Sequence, residues 1–149
     1  MSSPNDSINF VVELEGRDRI EVSGSQVRFR GCSELTGLMK QLRGEHGPEL
    51  GQWPLPEGTS HSEILIREAI LKAKGEWKFP YQEAEVCHCR GVACRTVDQA
   101  IIAGAHSTDV VSRQTSTSTA CGTCRPDVQK MIQYRVHGPA QSTPLKKTA

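Results

Sequence analysis

Four cysteines in two close pairs constrain this chain more than any other feature. Cys87-His88-Cys89 is a C-x-C pair and Cys121-Gly122-Thr123-Cys124 a C-x-x-C pair, with a spacer running from Arg90 to Ala120. Each pair is short enough to chelate one metal centre. The spacer is long enough to fold two short helices and return the second pair to the first. Four thiolates supply the full protein ligand set of a [2Fe–2S] cluster, one pair per iron. They serve equally as the four ligands of a tetrahedral zinc site. Any fold for this chain has to bring the two pairs to one point, and metal binding is the leading expectation.

Compartment decides whether clustered cysteines bind metal or pair as disulfides. Met1-Ser2-Ser3-Pro4-Asn5-Asp6 lacks the basic and apolar regions of a signal peptide. No apolar run approaches the ~20 residues needed to cross a bilayer. A soluble, cytoplasmic chain is expected, where thiols stay reduced and clustered cysteines bind metal. The formal net charge of +1 gives no basic stripe for nucleic acid and no strongly acidic carrier surface. Neither nucleic acid nor a membrane is expected as a partner.

With 149 residues the chain has room for one domain of common size or two small ones. Ile8–Glu15, Arg19–Val22 and Gln26–Arg30 read as three short strands, broken at Gly16-Arg17-Asp18 and Ser23-Gly24-Ser25. Ser33 looks like an N-cap, with Leu35, Leu38, Met39 and Leu42 at helical spacing behind it. Gly44–Gly58 reads as loop, with Trp53 and Leu55 packing back on the core. A second helix is expected from about Ser62 to Lys74, capped by Ser60 or Ser62. Lys78-Phe79-Pro80-Tyr81 interrupts helical continuity, which puts a boundary near residue 80. Beyond it, short helices are expected over Arg95–Ala103, after Ser107, and from Pro126 to about Val136. The fold class is α+β: a small antiparallel sheet with helices over residues 5–79, then a small all-α helix-turn-helix domain over 80–137. Residues 138–149 read as a flexible tail.

Both cysteine pairs precede a predicted helix, so backbone N–H donors are available to thiolate-bound charge. Arg90 and Arg125 follow the two pairs directly and add positive charge that would tune a reduction potential upward. His88 points away from its neighbours and is read as a solvent-facing or hydrogen-bonding side chain. Cys94 stands at a predicted helix start, where a thiol pKa can fall, but is read as an ordinary small side chain.

The segment Glu85–Val136 resembles the [2Fe–2S] domain of bacterioferritin-associated ferredoxin, found also within NifU-type assembly proteins and some reductases. The resemblance rests on V-C-H-C-R-G-V, V-D-Q-A-I-I-A-G-A and T-A-C-G-T-C-R-P. It implies a [2Fe–2S] cofactor held by Cys87, Cys89, Cys121 and Cys124. Residues 5–78 resemble the NifU/IscU scaffold on which iron–sulfur clusters are assembled. The matching stretches are V-R-F-R-G-C-S and L-P-E-G-T-S-H-S-E-I-L-I-R-E-A-I-L-K-A. That family's site uses three cysteines, an aspartate and a histidine. The resemblance puts Asn5, Cys32 and Ser62 at the cysteine positions, Ser7 at the aspartate and His61 at the histidine. The scaffold is therefore read as degenerate, with Cys32 and His61 as a residual metal site.

The expected function is a [2Fe–2S] protein acting in single-electron transfer, or as an accessory in iron–sulfur cluster assembly. Its partner would be a redox or assembly protein, and no catalysis of its own is expected. The alternative is a zinc-stapled, non-redox adaptor.

Overall fold

The computed structural model describes residues 9–24, 26–81, 85–87, 91–115 and 125–138, with the backbone alone for Val86 and Cys87. The chain divides into two compact units, Met1–Trp77 and Lys78–Ala149.

Alternation of apolar and polar residues builds the sheet of the first unit. Strands β1 (Asn9–Leu14), β2 (Asp18–Ser23) and β3 (Gln26–Arg30) form an antiparallel meander with β2 in the centre. Val12, Leu14, Ile20 and Val22 share the buried face. Glu13, Arg19, Glu21, Arg28 and Arg30 occupy the other phase of the alternation. Asp18 falls on the buried phase, in register with Leu14, and belongs to β2 rather than to the turn before it.

Helix α1 (Ser33–His46) runs past Gly44, where the sequence suggested loop. Tertiary contacts hold that last turn. Arg43 donates to Val27 O at 3.0 Å and lies over the Phe29 ring, and the Trp53 indole N–H donates to Gly47 O. Trp53 is buried, as expected, and follows a 3-10 turn over Leu50–Gln52. Helix α2 (His61–Lys74) is the centre of the unit: Ile64 to Leu71 are buried without interruption. Such a helix has to satisfy its polar residues internally. Arg67 donates to Pro56 O and Gly58 O, and Glu68 pairs with Lys72 at 2.7 Å.

The second unit opens with a short antiparallel ladder, β4 (Glu85–Cys87) against β5 (Val92–Ala93), which the all-α expectation did not include. Gly91 has φ +65, a left-handed conformation suited to the reversal into β5. Helices α3 (Cys94–Ala103), α4 (Thr108–Thr115) and α5 (Arg125–His137) follow close to their expected positions. They enclose a core of Val97, Ile101, Val111, Val128, Met131 and Ile132, with Phe79 and Tyr81 packed against it.

A buried ion pair joins α3 to α5. Arg135, 4% exposed, donates through Nε and Nη2 to the two oxygens of Asp98 at 2.7 and 2.6 Å. Phe79 lies against that guanidinium, and its ring meets Tyr134 edge-on. The Lys78 backbone N–H donates to the Tyr134 hydroxyl at 2.7 Å. No described helix is long and apolar enough to cross a membrane.

Candidate metal centres

In the second unit only Cys87 of the four cysteines lies among the described residues. Cys87 is the last residue of β4, in register with Val92 of β5. Cys89, Cys121 and Cys124 lie outside the described residues, as do His88 and Arg90. Cys124 directly precedes α5 in the sequence. In the sequence the first pair is followed by β5 and then at once by α3, so the short strand β5 stands between that pair and the helix expected after it. After the second pair, α5 begins at Arg125, directly after Cys124 in the sequence.

Arg125, expected to add positive charge beside the second pair, is itself paired. Its Nη1 donates to Thr108 Oγ1 at 2.7 Å and pairs with Asp109 at 3.2 Å, tying the start of α5 to the start of α4. Its charge is partly compensated there by the Asp109 carboxylate. Cys94 opens α3, but its thiol pKa is pushed up rather than down. Burial is the main cause and the nearby Asp98 carboxylate the second.

The donor set fits a cluster. Four thiols in two chelating pairs match the ligation of a [2Fe–2S] centre, and in the sequence the first pair begins at the end of β4 while the second ends just before α5. Residues 85–134 match the family described as the BFD-like [2Fe-2S] binding domain. The second unit carries a [2Fe–2S]-binding domain. Its cofactor is the cluster that this family binds. No curated protein and no solved structure matches the chain. The matched segment begins at residue 85, and none of these comparisons supports the scaffold resemblance of residues 5–78.

The first unit assembles a second candidate centre from distant parts of the chain. Cys32 is the N-cap of α1, where its sulfur accepts from Leu35 N, and the expected cap Ser33 is the first helical residue. His61 is the first residue of α2, behind a complete capping box formed by Ser60 and Glu63. Arg67 holds the approach to that helix through Pro56 O and Gly58 O. Both helix N-termini favour negative charge at this point.

Asp18 completes the group. Its Oδ1 accepts the Cys32 backbone N–H at 2.8 Å, and its Oδ2 lies 2.5 Å from His61 Nε2 and 3.7 Å from Cys32 Sγ. Cys32 Sγ lies 3.3 Å from the same Nε2. Asp18, Cys32 and His61 thus each offer one ligand atom, all within 4.8 Å of one another. Gly31 is required for this approach: its φ is +151, and a Cβ would overlap the Asp18 carboxylate.

The three donor atoms are close enough together to hold one metal ion. A Cys-His-Asp relay uses the two ring nitrogens separately, one toward the thiol and one toward the carboxylate. Here sulfur and carboxylate both lie close to the same nitrogen, Nε2.

Sequence alignment missed Asp18 and placed the aspartate position at Ser7, which lies outside the described residues together with Asn5. A signal was present. Asp18 is the acidic residue on the apolar phase Asp18-Ile20-Val22, and the pairing of Arg19 with Arg30 sets it beside Gly31.

Proposed function

We propose that this chain is a one-electron carrier that serves a protein partner in redox or iron–sulfur assembly chemistry, without a reaction of its own. The match of residues 85–134 to a [2Fe-2S] binding family carries this reading. When bound, the cluster supplies a centre that takes up and releases a single electron. Cys87, Cys89, Cys121 and Cys124 would hold it as thiolates, and the backbone donors of the β4–β5 hairpin and the α5 N-terminus would offset its negative charge. Thiols that must stay reduced to hold the cluster would suit a reducing compartment such as the cytoplasm.

The test is a visible spectrum of anaerobically purified protein, with iron, sulfide and zinc measured on the same sample. Two irons and two sulfides per chain, with absorbance bleached by dithionite, support electron transfer. A colourless protein holding one zinc, and refusing reconstitution with iron and sulfide, supports the zinc-stapled adaptor instead.

The first unit favours a second reading alongside the first. Cys32 and His61, with Asp18, would bind one divalent cation. One sulfur, one nitrogen and one oxygen donor suit zinc and the neighbouring transition metals. Zinc titration of the full chain and of Cys32→Ser tests it: the variant should bind one equivalent less.

A further inference from the structure

Ser62 stands at the second centre without a role in it so far. It follows His61 on α2, is fully buried, and its hydroxyl lies 3.5 Å from both Cys32 Sγ and His61 Nε2. Those are two of the three converging donor atoms, so the hydroxyl borders the space a cation would fill.

Three constraints limit what can occupy that space. Residues 1–77 contain a single thiol, Cys32. Asp18 can offer one oxygen only, because Oδ1 is engaged by the Cys32 N–H. The remaining protein donor is one imidazole nitrogen. A thiolate, a carboxylate and a neutral imidazole together carry two negative charges, which one divalent cation cancels. A neutral hydroxyl beside them preserves that balance. A second thiolate would leave uncompensated negative charge next to a carboxylate whose side chain is 1% exposed.

We propose that Ser62 is the specificity-determining residue of this centre, limiting it to a single divalent cation with one open coordination position. The inference rests on the reading of Asp18, Cys32 and His61 as a metal site. Three protein ligands and one exchangeable position let a zinc-class ion accept an incoming water or small ligand, whereas four protein ligands make a closed, structural site. The serine thereby excludes both a closed zinc site and a thiolate-rich cluster from the first unit.

Cobalt(II) is the probe, since its sulfur-to-metal charge-transfer absorption grows with the number of bound thiolates and its visible bands report coordination. Full-length wild type, Ser62→Ala and Ser62→Cys are titrated, each read as a difference from Cys32→Ser to remove cobalt held by the C-terminal cysteines. The expected wild-type result is one equivalent with the intensity of one thiolate. Ser62→Cys should raise the charge-transfer intensity about twofold and tighten binding about tenfold or more. Ser62→Ala should keep one equivalent with affinity within about threefold. A Ser62→Cys spectrum identical to wild type, in a protein that binds cobalt, overturns the role of Ser62 and leaves the metal site standing. A loss beyond about tenfold in Ser62→Ala makes the hydroxyl a ligand and overturns the open position. Absence of any difference between wild type and Cys32→Ser removes the metal site itself.

Discussion

The two units gather candidate metal donors by opposite routes. The second unit relies on likeness and adjacency: four thiols arrive as two chelating pairs, each pair already local in the sequence. The first unit relies on difference and distance. A carboxylate from β2, a thiol from the cap of α1 and an imidazole from the first turn of α2 meet only because the sheet register and two helix starts place them together. An adjacent pair survives much rearrangement of its surroundings, while a convergent centre depends on every element that delivers a donor.

The largest expected effect tests the first half of that contrast. Cys87→Ser or Cys124→Ser should remove nearly all visible absorbance and bound iron, while Cys94→Ser and Cys32→Ser keep both. Retained absorbance in either of the first pair would break the ligand assignment. Next comes Asp98→Ala, which leaves the Arg135 guanidinium buried without its bidentate partner. Loss of a buried charge partner costs about 3 kcal/mol, read as a lower denaturant midpoint for the second unit. A shift within error would show that the pair is solvated.

Gly31→Ala addresses the convergent centre from its backbone. Steric overlap with Asp18 and the positive φ should cost about 2 kcal/mol and weaken zinc binding, with the iron–sulfur absorbance unchanged. An effect on both signals would erase the separation between the two centres. Ser60→Ala removes the capping box of α2 and should cost about 1 kcal/mol. If zinc affinity falls with it, the helix start and the centre are one construction.

Arg19→Ala should change least. Arg19 bonds Glu13 and Glu21 on the exposed face of the sheet, where ion pairs contribute little. Its trace is in the acid range. The Glu21 carboxyl is held below its ordinary value near 4.5, first by the hydrogen bond from Arg19 and then by its charge. A lowered folded-state pKa stabilises above the unfolded value and is lost as pH falls through the folded one. Wild type and variant should therefore differ slightly at neutral pH and converge in acid, as acid titration of unfolding would show.

What was legible in the sequence follows the same division. The cysteine pairs announced themselves through spacing, and the three strands and five helices through periodicity and caps. Asp18 stayed hidden because its role is written in register: alignment by motif has no term for a residue that faces Gly31 across a hairpin. The extension of α1 through Gly44 was hidden for a related reason, since local preference favoured a break and the Arg43 and Trp53 contacts overrode it. The β4–β5 ladder is too short to leave a periodic signal. The raised thiol of Cys94 reflects burial and a carboxylate one helical turn on, neither of which a helix-start rule includes.

The segment Lys78–Tyr81 carries a practical consequence for dissecting the protein. Family likeness begins at residue 85, and a fragment cut there would look complete on paper. Yet the Lys78 amide is held by Tyr134, Phe79 covers the Arg135 guanidinium, and the Tyr81 hydroxyl donates to Glu85 O. Excision at the edge of the likeness would strip the lid from a buried charge and leave α5 with an open flank. A fragment intended to stand by itself should begin after Trp77, where the chain itself draws the line.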